Sequence, residues 1–472
     1  MAIIKDRKGQ AFLLIAIIFV VTMDGLDASI VNVALPSIAS AFEIDTSTAG
    51  WVSMTYFMMM AGLLLVFSKL ADRGIIKRIL IAGLIIFSVF SVACGLSSSI
   101  EMLLISRVFQ GVGAAIMGAC APLLCVRFLP ENKLGVGLGI VTMGASIGYA
   151  SGPALGGIIT EYLSWHWIFF INIPIGIVGI VFLMKAIPKD EGYVRSYFDL
   201  PGAMLMLMAV LAGVFALERF THIGLGNIQI VSATVICITS FVLFIIWERR
   251  CKTPILNPKI FRSWEFVFVF AAFLLINLTA TGIWYLTPFY LSLGMGFDAA
   301  ICGMYLFVPA AITLIISAPI GKWSDRTGRR WFSVISCVAM AITSGILFFI
   351  NPGMGTFPLI TALILMGIIW GFSGGPAASR IVEKIDDEEK GTGAALIAVA
   401  GYLGGAIGTA SFAAFFSVMN GSGNTPFGEL ALSTFMEGFH GVMILGVVLA
   451  IIAVVLSAVV RDENNDQPII RQ

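Results

Sequence analysis

Long apolar segments separated by short polar connections run along almost the whole chain. A helix that crosses the hydrocarbon core of a bilayer needs about 20 mostly apolar residues, and about fourteen segments reach that length. They lie near residues 10–38, 47–68, 79–98, 101–126, 134–160, 166–185, 200–218, 228–247, 266–292, 299–320, 331–350, 356–381, 391–419 and 438–460. Because a helix satisfies all of its own backbone hydrogen bonds in lipid, the pattern predicts an all-α polytopic membrane protein.

Lysine and arginine residues occur in every second connection between these segments. Of the 28 basic residues, only Arg107 and Arg219 lie elsewhere, and the alternate connections carry acidic residues instead. Basic residues collect in the cytoplasmic loops of membrane proteins. The distribution therefore predicts that both termini are cytoplasmic and that the number of spans is even.

The composition agrees with lipid as the solvent of this chain. Its 472 residues are 59% hydrophobic and 12% charged, with a mean hydropathy of +0.99, whereas a soluble domain carries about a quarter charged residues. The seven cysteines are scattered, without a paired motif or a cluster with histidine. The sequence also lacks a P-loop and the spacing of a catalytic triad. We therefore expect no enzyme activity, no metal and no cofactor.

An internal repeat divides the chain into two similar parts. The segment SKLADR at 68–73 recurs as GKWSDR at 321–326, and each copy follows the second span of a six-span block if two spans are inserted between the blocks. Secondary transporters are built from such repeats, with the substrate site between the halves near mid-membrane. We predict an N-terminal six-helix bundle at 1–190, two inserted helices and a linker at 191–260, and a C-terminal six-helix bundle at 261–472.

Sequence motifs occur in order on several spans. Span 1 contains LDASIVNVALP at 26–36, and the loop after span 10 contains GKWSDRTGRR at 321–330. Span 4 has the pattern LxxxRxxQGxGAA at 103–115, span 5 has a glycine pattern ending in GPxxGG at 152–157, and span 6 opens with WHWIFFINIP at 165–174. Together these motifs resemble the major facilitator superfamily, in its fourteen-helix drug:proton antiporter branch, over nearly the whole chain.

The resemblance implies a fold and an activity. The fold would be two six-helix bundles with two inserted helices, and the activity would be export of drugs in exchange for protons, in the inner (plasma) membrane of a prokaryote. We expect a monomer whose partners are a small-molecule substrate, protons and the lipid bilayer, without nucleic acid. The matching positions imply a set of gating residues, namely Asp72, Arg73, Gly148, Gly152, Pro153, Gly156, Gly157, Gly321, Asp325, Arg326, Arg329 and Arg330.

Charged residues lie deep inside two of the apolar segments. Asp24 and Asp27 are three apart and share one face of span 1, and Asp27 and Arg107 of span 4 lie at similar depths. An ion pair is therefore possible if spans 1 and 4 are neighbours. Burial disfavours a charged carboxylate and a nearby arginine favours it, which makes Asp27 the candidate carrier of the coupled proton, tuned by Arg107. A static structural ion pair is the alternative.

Candidate substrate residues lie near the predicted centre of the bundle. Asp24 is near the middle of span 1, and we expect it to meet the charge of a cationic substrate. The other candidates are polar or aromatic: Asn32, Gln110, Asn277, Trp284 and Tyr285. The aromatic residues of span 9 also fit ordinary packing or an interfacial belt. The glycines at 144, 148, 152 and 156 form a stripe that fits either close helix packing or a sliding interface.

Three transport functions are compatible with this sequence. We expect a proton-coupled antiporter that exports small lipophilic, cationic compounds by alternating access. An exporter of a single endogenous metabolite is an alternative, because no residue in the sequence identifies the substrate. An uptake symporter shares the fold, but the glycine pattern of span 5 resembles exporters, and the segment 186–190 lacks the motif of sugar porters.

The predicted topology is testable with inserted epitope tags. A tag after Ile223 and a tag after Asn424 should both be reachable only from outside the cell, because each follows an odd number of spans that starts from a cytoplasmic terminus. Labelling of intact and permeabilised cells measures this accessibility. If the tag after Ile223 is reachable only from the cytoplasm, spans 7 and 8 do not form a transmembrane pair.

Overall fold

The computed structural model describes residues 4, 6–71, 73, 75–187, 199–224, 226–251, 254–385, 390–421 and 425–461. Fourteen helices in this part of the chain are long and apolar enough to cross a membrane, as the apolar segments predict, and these residues form no strand. The helices are α1 Arg7–Ala41, α2 Thr46–Ala71, α3 Ile76–Gly95, α4 Ile100–Phe128, α5 Glu131–Tyr162, α6 Trp167–Ala186, α7 Leu200–Ile223, α8 Ile228–Glu248, α9 Trp264–Gly294, α10 Ala299–Thr327, α11 Arg330–Phe349, α12 Phe357–Glu383, α13 Lys390–Asn420 and α14 Leu432–Val459.

Side-chain caps fix where several helices begin. The Asp6 carboxylate accepts the Gly9 N–H at 2.6 Å, and the Asp298 carboxylate accepts the Ile301 N–H at 2.8 Å. Ser99 caps α4 in the same way. Each cap satisfies a backbone donor that the first turn of a helix leaves without an intrahelical partner. The helix boundaries therefore fall at polar residues that flank the apolar segments.

Three spans contain local interruptions that the apolar pattern does not predict. Helix α6 has a turn at Ile171, between Trp167–Phe170 and Asn172–Ala186. Helix α9 ends in a π turn at Tyr290–Gly294, and α12 contains one at Ser373–Ala377. Pro288 and Pro376 accompany these two π turns, because proline removes a backbone donor and clashes with the preceding turn.

The packing of the helices repeats with an offset of eight. Helix α1 packs on α5 and α6, as α9 packs on α13 and α14. Likewise α2 packs on α4, as α10 packs on α12. Helices α7 and α8 pack on each other and stand outside the repeat, and α7 also contacts α2 and α13. We call α1–α6 the first half and α9–α14 the second half. The predicted boundary at 190 lies outside the described residues.

The two halves meet on the side opposite the basic loops, which we call the outer side. The backbone N–H of Ala299 donates to the Glu161 carboxylate at 3.0 Å, and the N–H of Phe427 donates to the carbonyl of Ile44 at 3.0 Å. The Tyr285 hydroxyl donates to the carbonyl of Thr46. These bonds join loops and helix ends of both halves. The outer side of the protein is therefore closed.

The glycines of α5 pack against two different helices, α1 and α10. A Cβ at Gly148 would lie 2.7 Å from the Leu26 nitrogen of α1, and Gly152 and Gly156 face α1 as well. A Cβ at Gly157 would instead lie 2.9 Å from the Cα of Gly303 in α10. The stripe at every fourth residue thus packs within the first half, while Gly157 lies at the seam between the halves.

An alanine at Gly148 should destabilise the fold. The added methyl group would meet backbone atoms of α1, which cannot rotate away, and overpacking of this kind costs about 1–3 kcal/mol. Thermal unfolding in detergent measures the change. The matched control is Gly139→Ala on the same helix, where no described atom lies within 4 Å of the added Cβ. Equal unfolding temperatures for the two variants would contradict the assigned contact.

Candidate functional site

A buried carboxylate lies at the midpoint of α1. Asp24 is the central residue of the 35-residue helix Arg7–Ala41, and only 7% of it is exposed. The Tyr56 hydroxyl of α2 donates to Oδ1 at 2.6 Å, and the Tyr402 hydroxyl of α13 donates to Oδ2 at 3.0 Å. One donor belongs to the first half and the other to the second. Asp24 is therefore held at the junction of the two halves.

A third tyrosine completes the surroundings of Asp24. Tyr149 of α5 lies beside Gly25, where an added Cβ would be 3.2 Å from the tyrosine ring, and it also contacts Tyr402. Phe57 lies next to these rings, 6.4 Å from Tyr402 between centroids. We call Asp24, Tyr56, Tyr149 and Tyr402 the tyrosine box. A carboxylate attracts a positive charge, and the aromatic rings around it can cover the apolar surface of a bound molecule.

Asp27 forms a separate network one turn closer to the outer side. Its Oδ2 lies 2.5 Å from a terminal nitrogen of Arg107, and the two residues are 0% and 1% exposed. Its Oδ1 accepts from the Gln110 amide at 2.9 Å and from the Asn172 amide at 2.8 Å. The ion pair expected from the matched depths of Asp27 and Arg107 is present. Ser91 of α3 also belongs to this network through its bond to Gln110. The network therefore joins four helices of the first half: α1, α3, α4 and α6.

Further donors of this network also have partners. The Arg107 Nε donates to the carbonyl of Val52 at 2.9 Å, and a terminal nitrogen donates to Gln110 Oε1 at 2.8 Å. Gln110 Nε2 donates to the Ser91 hydroxyl at 2.7 Å. A buried ion pair is tolerated only when such additional hydrogen bonds compensate for the lost hydration. We call Asp27, Ser91, Arg107, Gln110 and Asn172 the Asp27 network, and its hydrogen bonds supply this compensation at the ion pair. The Asn172 Oδ1 is buried and accepts no hydrogen bond from the described residues.

Tyr56 connects the two sites. Its hydroxyl donates to Asp24, and the Arg107 guanidinium lies over its ring, 4.4 Å from the centroid. A cation over an aromatic face is attracted by the ring. Asp27, Arg107, Tyr56 and Asp24 therefore form a continuous series of contacts.

The structure gives the other predicted substrate residues different partners. Gln110 belongs to the Asp27 network, and the side-chain Oδ1 of Asn32 accepts from the Ser53 hydroxyl at 3.4 Å. Asn277 donates to the carbonyl of Phe273 within its own helix at 2.8 Å. Two aromatic candidates lie in α9. The Trp284 ring packs 5.2 Å from the ring of Trp370, and the Tyr285 hydroxyl donates to the carbonyl of Thr46 at the outer seam.

The residues of the second loop motif form a cytoplasmic network within the second half. Arg329 is 2.7 Å from Asp325 and also pairs with Glu383 at the end of α12. Arg330 donates to the carbonyl of Ala458 in α14. Gly321 and Arg326 belong to the same end of α10. In the first copy, Arg73 is 7% exposed, and Asp72 lies outside the described residues.

Sequence reasoning missed several members of both sites. Tyr149 and Asn172 lie within motifs of spans 5 and 6, so they could have been included with those motifs. Tyr56, Ser91 and Tyr402 have no such signal. Tyr402 reaches Asp24 from a helix almost at the other end of the chain, and that contact depends on how the two halves dock.

Comparison with known proteins identifies the family. Residues 17–409 match the model of the Major Facilitator Superfamily, and the chain belongs to this family. It is similar to the riboflavin transporter RibZ of Clostridioides difficile strain 630, with 30% identity over 87% of this chain and 89% of that protein. It is also similar to a multidrug resistance protein named MdtD of Escherichia coli O81 strain ED1a, with 28% identity over 74% of each chain.

Solved structures resemble the fold. A bacterial homologue of the human lysosomal transporter Spinster, in an inward-facing and unoccupied conformation, has a TM-score of 0.71 with 16% identity and covers 96% of this chain and 97% of its own. The inward-facing and occupied form has a TM-score of 0.66 with 17% identity and the same coverage. At these identities the likeness concerns the fold. By its match to the family model and to the transporter relatives, the chain is a major facilitator transporter and not an enzyme.

Proposed function

We propose that the chain is a proton-coupled antiporter that exports small lipophilic cations by alternating access across the inner (plasma) membrane of a prokaryote. The observation that carries the proposal is the position of Asp24, bonded by Tyr56 from one half and Tyr402 from the other. A lipophilic cation fits such a site because the carboxylate neutralises its charge and the rings cover its apolar surface. The tyrosine box is therefore the proposed substrate site.

Asp27 is the proposed carrier of the coupled proton. It lies three residues from Asp24, about 4.5 Å along the helix axis, and its charge is balanced by Arg107. A proton that enters from the outer side and neutralises Asp27 removes the charge that holds Arg107. The guanidinium then acts more strongly on Tyr56 and Asp24, which disfavours a bound cation. Release of the proton to the cytoplasm restores the ion pair and prepares Asp24 for the next cation.

The similar proteins support two substrate classes. The multidrug resistance relative favours efflux of lipophilic compounds, and the riboflavin transporter favours a single metabolite as a second candidate. A planar ring system would also pack against the three tyrosines of the box. Flux of a panel of cationic and neutral dyes and of riboflavin in reconstituted vesicles, under pH gradients of both signs, distinguishes these substrates. The sign of the gradient that drives accumulation separates antiport from uptake by symport.

Replacing Asp24 should separate cationic from neutral substrates. Asp24→Asn keeps the size of the side chain and removes the negative charge, so transport of cationic dyes should fall about ten-fold or more while neutral compounds are spared. Initial rates in vesicles measure this selectivity. The matched control is Glu101→Gln, which removes one carboxylate at an exposed position in the first turn of α4 and should retain cationic transport. An equal loss of both classes in Asp24→Asn would reject the role of Asp24.

Replacing Asp27 should uncouple transport from the pH gradient. In Asp27→Asn the amide cannot bind and release a proton, so accumulation against a concentration gradient should disappear. Exchange of labelled for unlabelled substrate at equal pH on both sides should continue, because it requires no release of a proton. It should need a higher substrate concentration, because the amide resembles the protonated Asp27 that disfavours a bound cation. Both are measured in the same vesicle preparation. Full accumulation driven by the pH gradient in this variant would refute the assignment.

A further inference from the structure

The inserted helix α7 carries an acidic side chain inside the membrane. Glu218 lies in the last two turns of α7, on the outer side, and is 1% exposed. Ionisable residues within transmembrane segments are costly and are usually retained for a function. Neither the tyrosine box nor the Asp27 network uses Glu218.

Glu218 is bonded to the first half of the protein. The Ser47 hydroxyl at the start of α2 donates to Glu218 Oε1 at 2.8 Å. The Nε of the neighbouring Arg219 lies 3.5 Å from Oε2, and the Arg219 side chain is 41% exposed. The bond from Ser47 therefore links an inserted helix to α2, and it is a charge-assisted hydrogen bond of the stronger class.

The start of α2 is also where the second half closes the outer side. The carbonyl of Thr46, directly before Ser47, accepts from the Tyr285 hydroxyl of α9. The carbonyl of Ile44 accepts from the N–H of Phe427 at 3.0 Å. We call residues 44–47 the outer hub. The outer hub is bound by three separate parts of the protein, namely α7, α9 and the segment before α14.

Helix α7 is attached to the second half as well. It packs on α13, and Val214 of α7 belongs to the same hydrophobic cluster as Ala406 and Ala410 of α13. One turn below Ser47, the Trp51 ring of α2 lies 6.1 Å from the Phe215 ring of α7. Helices α2, α7 and α13 are thus in mutual contact, and α7 bridges the two halves.

We propose that Glu218 is a latch that stabilises the closed outer side, so that the inserted helices take part in alternating access. Opening the outer side must separate the outer hub from α9 and α13. If α7 stays with α13, Ser47 leaves Glu218, and the freed carboxylate is hydrated in the opening. The bond then exists only in the closed state and shifts the equilibrium toward it. The latch requires neither the substrate nor the proton of the proposed antiport.

A native cysteine can report the opening. Cys302 lies in the first turn of α10, next to Gly303 at the seam with Gly157, and is 3% exposed. When α5 and α10 separate on the outer side, its thiol becomes accessible from outside. In a chain whose other six cysteines are replaced by alanine, a membrane-impermeant maleimide added to intact cells measures the fraction of open protein through the rate of labelling.

The latch predicts a specific pattern among four variants. Glu218→Ala and Ser47→Ala should each increase the labelling rate of Cys302 about ten-fold, because each removes one charge-assisted hydrogen bond from the closed state. The double variant should label no faster than either single variant. Glu218→Gln should label slowly, because its amide oxygen still accepts from Ser47. The matched control is Thr48→Ala, which removes a bond to Asp45 within the first half and should leave the rate unchanged.

Several results would overturn the latch. Unchanged labelling in Ser47→Ala would do so, and this mild substitution decides the question if Glu218→Ala does not fold. Additive effects in the double variant, or equally fast labelling in Glu218→Gln and Glu218→Ala, would also reject it. Labelling is measured without substrate and without a pH gradient. A failure of the latch therefore leaves the antiport proposal intact, and a failure of antiport in vesicles leaves the latch intact.

Discussion

The ion pair of Asp27 and Arg107 constrains the rest of the first half. Both side chains are removed from solvent, at 0% and 1% exposure, and a buried ion left without its partner costs about 3–5 kcal/mol. The neighbouring helices must therefore supply polar groups at fixed positions, and α3, α4 and α6 do so through Ser91, Gln110 and Asn172. The close packing of α1 on the glycines of α5 holds the carboxylate at the depth where these donors converge.

The same arrangement separates two acidic residues on one helix. Asp27 is neutralised by an arginine, whereas the two donors to Asp24 among the described residues are hydroxyl groups. In the described part of the chain, two carboxylates one turn apart therefore differ in their partners: Asp27 is paired with a cation and Asp24 is not. Tyr56 touches Arg107 with its ring and Asp24 with its hydroxyl, so a single side chain contacts both sites.

The sequence predicts those features that depend on local chemistry. The length of the apolar segments predicts the fourteen spans, the basic loops predict their parity, and the matched depths of Asp27 and Arg107 predict their contact. The contact of Tyr402 with Asp24 depends on the docking of two halves, and helical periodicity carries no information about it. For the same reason the sequence does not predict that the hydroxyl of Tyr285, a candidate substrate residue, bonds to Thr46 at the outer seam. Glu218 lies on a span whose neighbours the sequence does not specify.

The hydroxyl of Tyr402 has a consequence for the proposed substrate site. Because it belongs to the second half, it occupies one oxygen of Asp24 only while the halves are in this arrangement. If Asp24 binds the substrate cation as proposed, the cation displaces a group that the protein itself provides, and its apparent affinity is the difference between two interactions with the same carboxylate. The Tyr402 hydroxyl would then act as an internal competitor, which favours weak and readily reversible binding at this site.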